Sequence, residues 1–482
     1  MKPKLFLLGL LASFALIAAG CGGTTGSSGS MGSGASLVRS DALAFVSIDS
    51  DLGSSQWKQV DTLSKKFPDR DAALAYLQRA LSKNGVDWNN DVKPALGSEV
   101  DLAFVPGTSQ NDFAVVGLTK PRDAGKFKAL VKKLNASDNS GQPAVYREVS
   151  GGWYALSDSQ AHISAVLKTG GKSLSEESTY HDALAELPSA ALAKAYVNGA
   201  QLAKVIHQYG QASGAGSAGA TSGLDKLDFV SASLNAESDG LRTHGAVQGS
   251  GAAAVAGSGD YRSKLLDEAP ADSLAFLTFR AGKGLGAAGL RSAQAPLELA
   301  LGVSLADLAQ LFENETSLYV RPGAVIPEVT LLLQPKSTSR ALTTLDKLSR
   351  RIARATGGSF KAGTERTINF GQFAAHYGAQ GGKVVVTTSA TGISQVGSPS
   401  DKLANSADFK EAKAAAGLPD SNGGFIYIDL KNVIPLIEGF AGLSGSNLPS
   451  TVTENLRPLH SFVAWSAGSG NTRTFDVFLE IK

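Results

Sequence analysis

Cysteine is almost missing: Cys21 is the only one in 482 residues, so no disulfide can form within the chain. Histidine is sparse as well. His162, His181, His207, His244, His376 and His460 are scattered without H-x-x-H or H-E-x-x-H spacing, so the common zinc signatures are absent. No run of about 18 apolar residues, the minimum for a spanning helix, follows the N-terminal stretch. There is no G-x-S-x-G elbow; "AGSAG" around Ser217 lacks the first glycine and lies in a low-complexity stretch. A catalytic triad can still assemble from distant residues, so this removes a signature and not a chemistry.

Net charge is missing too. Lys2 and Lys4 lie in the first twenty residues, and without them 43 basic side chains face 43 acidic ones. That balance argues against general nucleic-acid binding by counterion release.

What is present begins with an address. After Lys2 and Lys4, the run "LFLLGLLASFALI" (5–17) is apolar, and Ala18, Ala19 and Gly20 lead into Cys21. A charged start, a short apolar core and small residues make a signal peptide, and about thirteen apolar residues fall short of the ~20 of a permanent anchor. "AAGC" resembles the lipobox of bacterial lipoproteins, in which the cysteine sulfur receives a diacylglyceryl group and becomes the first mature residue. Ala18 stands where leucine is commoner. The alternative is an ordinary secreted protein cut after an A-x-A-like site, with Cys21 incidental. Behind Cys21, "GGTTGSSGSMGSGAS" (22–36) reads as a flexible coil. The expected order is a signal peptide at 1–20 and a tether at 21–36.

The rest of the chain says everything twice. "SDALAFVSID" (40–49) answers to "ADSLAFLTFR" (271–280), and "LGSEVDLAFVP" to "FENETSLYVRP". "DFAVVGLTKPRDAGKFKALVKKL" answers to "PEVTLLLQPKSTSRALTTLDKLS", and "TYHDALAELP" to "DFKEAKAAAGLP". "AKAYVNGAQLAKVI" and "GGFIYIDLKNVIPLI" follow, and each half closes on a strand pair. Matches in one order indicate duplication. Domain one is placed at 37–248 and domain two at 261–482, with a small-residue linker at 249–260.

Each copy strings short β-type runs between Gly, Pro, Asn and Asp turns, with helices inserted singly. Phe127, Leu130, Val131 and Leu134 recur at helical spacing, as do Ala341, Leu345, Leu348 and Ile352. Two earlier helices present Trp57, Val60, Leu63 and Phe67, and Tyr76, Leu77, Ala80 and Leu81. The expected fold class is α+β: two tandem copies of a curved, mainly antiparallel sheet with helices packed on one face.

"SDALAFVSID", the basic amphipathic helix, "TYHDALAELP" and "AKAYVNG", in this repeated order, resemble the secreted bacterial family catalogued as domain of unknown function 3352. The likeness covers nearly the whole mature chain. It implies an exported, often membrane-attached protein, and brings no activity, cofactor or catalytic residue.

Other patterns have plainer readings. Gly284, Gly286 and Gly289 spell G-x-G-x-x-G, with Asp307 about twenty residues on, but the equivalent loop of copy one lacks the glycines and the flanking strands read as hairpins. Asp49, Asp51 and Gly53 begin like a calcium loop, yet position twelve is Val60. His162 and His376 fall on strand-like runs. Long loops at 210–223 and 441–458 precede each closing strand pair, and in the second Leu443, Leu448 and Val452 are candidates to cover an opening.

Both copies carry a basic helix, with Lys126, Lys128, Lys132 and Lys133 in the first. In the second, Arg340, Lys347, Arg351 and Arg354 form a narrow stripe beside the apolar face, either an ordinary solvated surface or a contact for anionic lipid headgroups. The sequence therefore reads as an extracytoplasmic protein held to the membrane through lipidated Cys21. It is expected to be a non-catalytic binding or structural module at the cell envelope, with an envelope protein as partner, no cofactor, no metal and no nucleic acid. The alternative is a carrier of lipid or another apolar ligand between sheet and helices, and a hydrolase without a recognisable motif ranks third.

Overall fold

A computed structural model describes residues 32–107, 113–137, 143–212, 224–252, 259–281, 294–323, 326–371, 373–397, 401–443, 448–468 and 470–482. The signal peptide and Cys21 lie outside them.

In the first copy a 3₁₀ turn, Ser33–Leu37, precedes β1 (Ala44–Asp49). Next come α1 (Ser55–Ser64), α2 (Arg70–Ser82), β2 (Glu99–Pro106), β3 (Phe113–Thr119) and α3 (Ala124–Ser137). They are followed by β4 (Val145–Glu148), β5 (Tyr154–Ser157), α4 (Gln160–Val166), α5 (Ser178–Ala185), β6 (Ala193–Asn198), α6 (Gly199–Ala212), β7 (Phe229–Glu237) and β8 (Gly240–Gln248). The pairings, all antiparallel, give the order β4-β5-β3-β2-β1-β6-β7-β8.

The second copy repeats this plan. β9 (Tyr261–Arg262) and a 3₁₀ turn, Leu265–Glu268, lead to β10 (Ala275–Arg280), α7 (Gln294–Leu301), α8 (Leu305–Leu311), β11 (Glu315–Arg321), β12 (Glu328–Leu333) and α9 (Thr338–Thr356). Then come β13 (Ser359–Lys361), β14 (Arg366–Phe370), β15 (Phe373–Gln380), β16 (Lys383–Thr387), α10 (Ala407–Ala416), β17 (Ser421–Asn422), β18 (Gly424–Asp429), α11 (Leu430–Leu443), α12 (Ser450–Leu456), β19 (Leu459–Ala467) and β20 (Thr472–Ile481). The order here is β13-β14-β15-β16-β12-β11-β10-β18-β19-β20. It matches copy one strand for strand, with β13 and β14 added at the outer edge.

The last strands of the two copies pair with each other. β8 runs antiparallel to β20 from Gly240↔Glu480 to Gln248↔Thr472, so both copies belong to one 18-stranded sheet. The α+β class and the antiparallel sheet agree with the pattern of short runs. Coverage of one face alone does not, because helices lie on both. In copy one Ala103, Val105, Ala155, Tyr196 and Phe229 meet α4, α5 and the 3₁₀ turn on one face. Val100, Tyr154, Leu156 and Ala236 meet α1, α2 and α3 on the other. In copy two Phe276, Tyr319, Leu332 and Tyr427 pack under α10, while Leu333, Val384 and Tyr377 pack under α8 and α9. Strands buried on both sides need apolar residues at consecutive positions, as in Leu331–Leu332–Leu333.

The copies also share core. Ile481, Leu459 and Leu479 of copy two complete the cluster built on Trp57, Leu63 and Phe127. Lys66 Nζ donates to the Ile481 carbonyl at 2.6 Å. The Arg242 guanidinium lies 4.6 Å from the Phe478 ring centre and donates to the carbonyls of Ala415 and Ala416, capping the end of α10.

Candidate functional site

The most concentrated chemistry lies where the chain enters the first copy. Glu99 and Asp101 occupy alternate positions of β2 and so share a face; Ser47 and Asp49 of β1 stand directly opposite, Ser47 to Asp101 and Asp49 to Glu99. All four are buried, Asp101 completely. Burial without compensation would be costly for such groups, and the compensation comes from the segment behind the Gly/Ser run. Gly32 N–H donates to Glu99 Oε2 at 2.7 Å, Ser33 N–H to Oε1 at 3.2 Å, and Gly34 N–H to Asp101 Oδ2 at 3.0 Å. The Ser33 hydroxyl also donates to Glu99, and Ser47 Oγ to Glu99 Oε2 at 3.3 Å.

The glycines are steric requirements. A Cβ on Gly34 would lie 2.2 Å from Asp101 Oδ2, and one on Gly32, whose φ is +93°, would lie 2.7 Å from the Tyr180 hydroxyl. The tether expected to run to residue 36 therefore gives way to a buried plug by Gly32, with Gly34 and Ala35 enclosed.

Burial raises the Glu99 carboxyl above its ordinary value, against the hydrogen bonds from Gly32, Ser33 and Ser47. Burial, then the neighbouring Glu99 charge, raises Asp101 further. Asp49 is pushed up to about 6 by burial, opposed by bonds from Ser54 and Asp51. Two enclosed carboxyls on alternate residues hold a proton more readily than isolated ones.

The second copy repeats the clamp without the extra acid. Glu315, fully enclosed at the start of β11, accepts from Lys264 N–H at 2.9 Å, Leu265 N–H at 3.3 Å, Thr278 Oγ1 at 3.0 Å and the Ser263 hydroxyl. Ser317 and Arg280 stand where copy one has Asp101 and Asp49.

From Ser47 a polar row continues over the same face through Lys194, Ser233, His244 and Asp476, directly paired on β1, β6, β7, β8 and β20. It contains the residue types of a Ser-His-Asp set, scattered too widely in sequence for any motif to reveal. The geometry is not that of a triad. Ser233 Oγ donates to the backbone carbonyl of His244 at 3.4 Å, and the imidazole is shared between Asp476, 3.1 Å from Nδ1, and the Glu186 carbonyl. Burial lowers the Lys194 ammonium below its ordinary value.

The basic stripe is on the surface. Arg340, Lys347, Arg351 and Arg354 are exposed on α9, whose buried side carries Ala341, Leu342, Thr344, Ser349 and Ala353. The stripe borders this buried side at Thr344, about 20° around the helix from Arg351. On α3 of copy one, by contrast, Lys133 pairs with Asp91 at 2.6 Å and Lys128 with Glu148 at 3.6 Å.

Asp49 and Asp51 form the turn that starts α1, with Asp49 Oδ2 accepting from Ser54 Oγ at 2.6 Å and Asp51 Oδ1 from Gly53 N–H at 3.2 Å. No metal-holding group of His, Cys, Asp and Glu occurs among the described residues. His162 sits in α4 and not on a strand; His376 is on β15. Leu448 and Val452 are exposed near α12 and on it; Leu443 lies outside the described side chains. Tyr76, expected on an apolar helix face, is also exposed. Gly284, Gly286 and Gly289 fall outside the described residues.

A family model described as "Protein of unknown function (DUF3352)" matches residues 4–481. No curated protein matches. Among solved structures, crystal form I of TP0453 is similar at TM-score 0.23 and 12% identity, covering 46% of this chain and 92% of that one. Crystal form IV gives 0.23 and 12% over 43% and 76%, and crystal form III 0.22 and 11% over 45% and 91%.

Proposed function

Because the chain belongs to the DUF3352 family of proteins of unknown function, its role must be argued from its own residues, and we propose a lipid-anchored, extracytoplasmic, non-catalytic binding or structural module of the cell envelope. The observation that carries this reading is the capture of Gly32, Ser33 and Gly34 by Glu99 and Asp101. A chain hung from Cys21 would meet the body at this dock. The point of suspension on the body is then fixed by buried hydrogen bonds.

Two further observations support a scaffold. Large side chains are clustered and buried on both faces of the sheet in both copies, which favours a filled structure over the carrier alternative. His244, in the Ser-His-Asp grouping of the polar row, is engaged by Asp476 and Glu186.

The test is the N-terminus of protein expressed with its signal peptide. Mass spectrometry should find a diacylglyceryl-modified Cys21, and Cys21→Ser should move the protein from the membrane to the soluble fraction. An unmodified N-terminus, or a variant that remains as firmly membrane-bound, overturns the anchor. Co-purified lipid in native mass spectra of the delipidated body would favour the carrier.

A further inference from the structure

We propose that the outward side of α9, with the adjoining end of α7, is a second membrane contact that takes the headgroup layer of an anionic phospholipid surface. The proposal deepens the envelope reading and rests on it for location, but its chemistry does not depend on the anchor.

Charge on α9 is left unanswered. α9 carries Arg340, Lys347, Arg350, Arg351 and Arg354 against a single acid, Asp346. That carboxylate is engaged elsewhere: its Oδ1 accepts from Arg366 Nε at 2.8 Å and from the Tyr377 hydroxyl at 2.9 Å. At about 100° per residue Arg340, Lys347, Arg351 and Arg354 fall within roughly 60° of one another, spread over about 21 Å of helix. None of the four makes an ion pair among the described residues. Like charges in such a row repel, and among the described residues no carboxylate pairs with them. The equivalent helix α3, on the same face of the sheet, has two of its lysines paired. Among the described residues, half of the lysines of α3 are thus paired, whereas none of the four stripe residues of α9 is.

The second observation is apolar. Leu299 near the end of α7 is 79% exposed. Leu299 is tied to the stripe: Arg351 donates from Nη2 to the Leu299 carbonyl at 3.3 Å and from Nε to the Ala300 carbonyl at 3.2 Å. A projecting leucine beside a cationic row is the arrangement of a surface that settles at a lipid interface, with cations at the phosphates and the apolar side chain below them. A soluble acidic protein would use the cations but give the isolated leucine no apolar layer to enter.

The experiment uses the full mature chain carrying Cys21→Ser, so that no acyl chain contributes. Its binding is measured to vesicles of equal parts phosphatidylcholine and phosphatidylglycerol, and to phosphatidylcholine alone. Binding should require the anionic lipid and should fade toward 1 M salt, where screening shortens to about 3 Å. Replacing Arg340, Lys347 and Arg354 by Gln, which leaves the Arg351 bonds to α7 intact, should weaken binding about 100-fold. Lys at the two arginine positions should preserve it. Leu299→Asn should weaken binding without changing its salt dependence. Circular dichroism of each variant verifies folding. No binding at low salt, equal binding to phosphatidylcholine, or a Gln variant that binds like the parent overturns the proposal. The fate of Cys21 in cells is a separate result and leaves this one standing.

Discussion

His244 and Asp476 stand opposite each other on the two strands that join the copies, with the imidazole Nδ1 3.1 Å from both carboxylate oxygens. The bond to Asp476 raises the imidazole above its ordinary value, burial opposes it, and the Glu186 carbonyl adds to it. A histidine raised on folding stabilises the fold fully below its unfolded value of 6.5, and that contribution is lost as pH rises through the folded value. His244→Ala should therefore cost about 1–3 kcal/mol at pH 6 and clearly less at pH 9. Urea midpoints at both pH values measure it; an equal loss at each would show that the charge on His244 is not what matters.

Gly34→Ala places a methyl group 2.2 Å from Asp101 Oδ2, inside a site with no exposed surface to yield. The expected cost is about 1–3 kcal/mol. Residues 32–37 should become open to proteolysis, because the plug is what moves most easily. Ser36→Ala, which removes only a bond to the Ser33 carbonyl, serves as control and should leave the segment protected. Protection of Gly34→Ala equal to the parent would mean that the dock has room the geometry denies.

The enclosed carboxyls bias the same stability profile toward acid. Asp49 rises from 3.8 to about 6, so the folded protein keeps a proton over that window which the unfolded chain has released. Stability from this group is therefore greatest below pH 4 and falls as pH climbs to about 6, a difference of about 3 kcal/mol at most. Glu99 and Asp101, also raised, act in the same direction. Asp49→Asn keeps an acceptor for Ser54 and should flatten the pH dependence of the urea midpoint between 4 and 6. A variant with the parent's full slope assigns the effect to other groups.

The two halves, placed at 37–248 and 261–482, are joined at a seam of paired strands. A first half ending near residue 252 lacks Leu459, Leu479 and Ile481, which complete its core, and each half would expose one pairing edge, β8 or β20. Fragments 32–252 and 259–482 should therefore form a one-to-one complex when mixed, as read by light scattering after size exclusion. A first half starting at Leu37 leaves Glu99 and Asp101 without the N–H groups of Gly32, Ser33 and Gly34. It should melt below the longer fragment by several degrees, as a loss of 1–3 kcal/mol implies. Two separate monomers after mixing would show that the seam does not hold the copies together.

Much of this architecture was legible because strands and amphipathic helices leave periodic traces. "ALAFVSID" and "SLAFLTFR" became β1 and β10 with the same neighbours. Coverage of both faces was less obvious, although "KVVVT" at β16 carries an unbroken apolar run that one-sided burial does not need. The plug was hidden for a different reason. Gly32 and Gly34 lie in a stretch whose composition is that of a free coil, and what distinguishes them is the space left by Tyr180 and Asp101, residues far away in sequence. A signal did exist: Ser33 and Ser263 play the same part against Glu99 and Glu315, so the repeat extends upstream of "SDALAF" and "ADSLAF". His244 and Asp476, 232 positions apart, had no such trace, because only the meeting of two edge strands brings them together.

That meeting also decides how far the assembly can grow. Had each copy been a separate chain, its last strand would be an open template for a neighbour; here the two templates consume each other. What remains at the extremities are β4, four residues long with Arg147 and Glu148, and β13, three residues ending in Lys361. Strands so short, carrying charge at their ends, recruit another backbone poorly. Duplication has in effect produced a self-terminating ribbon, finite by construction, in which tandem fusion supplies the closure that a barrel achieves by curling.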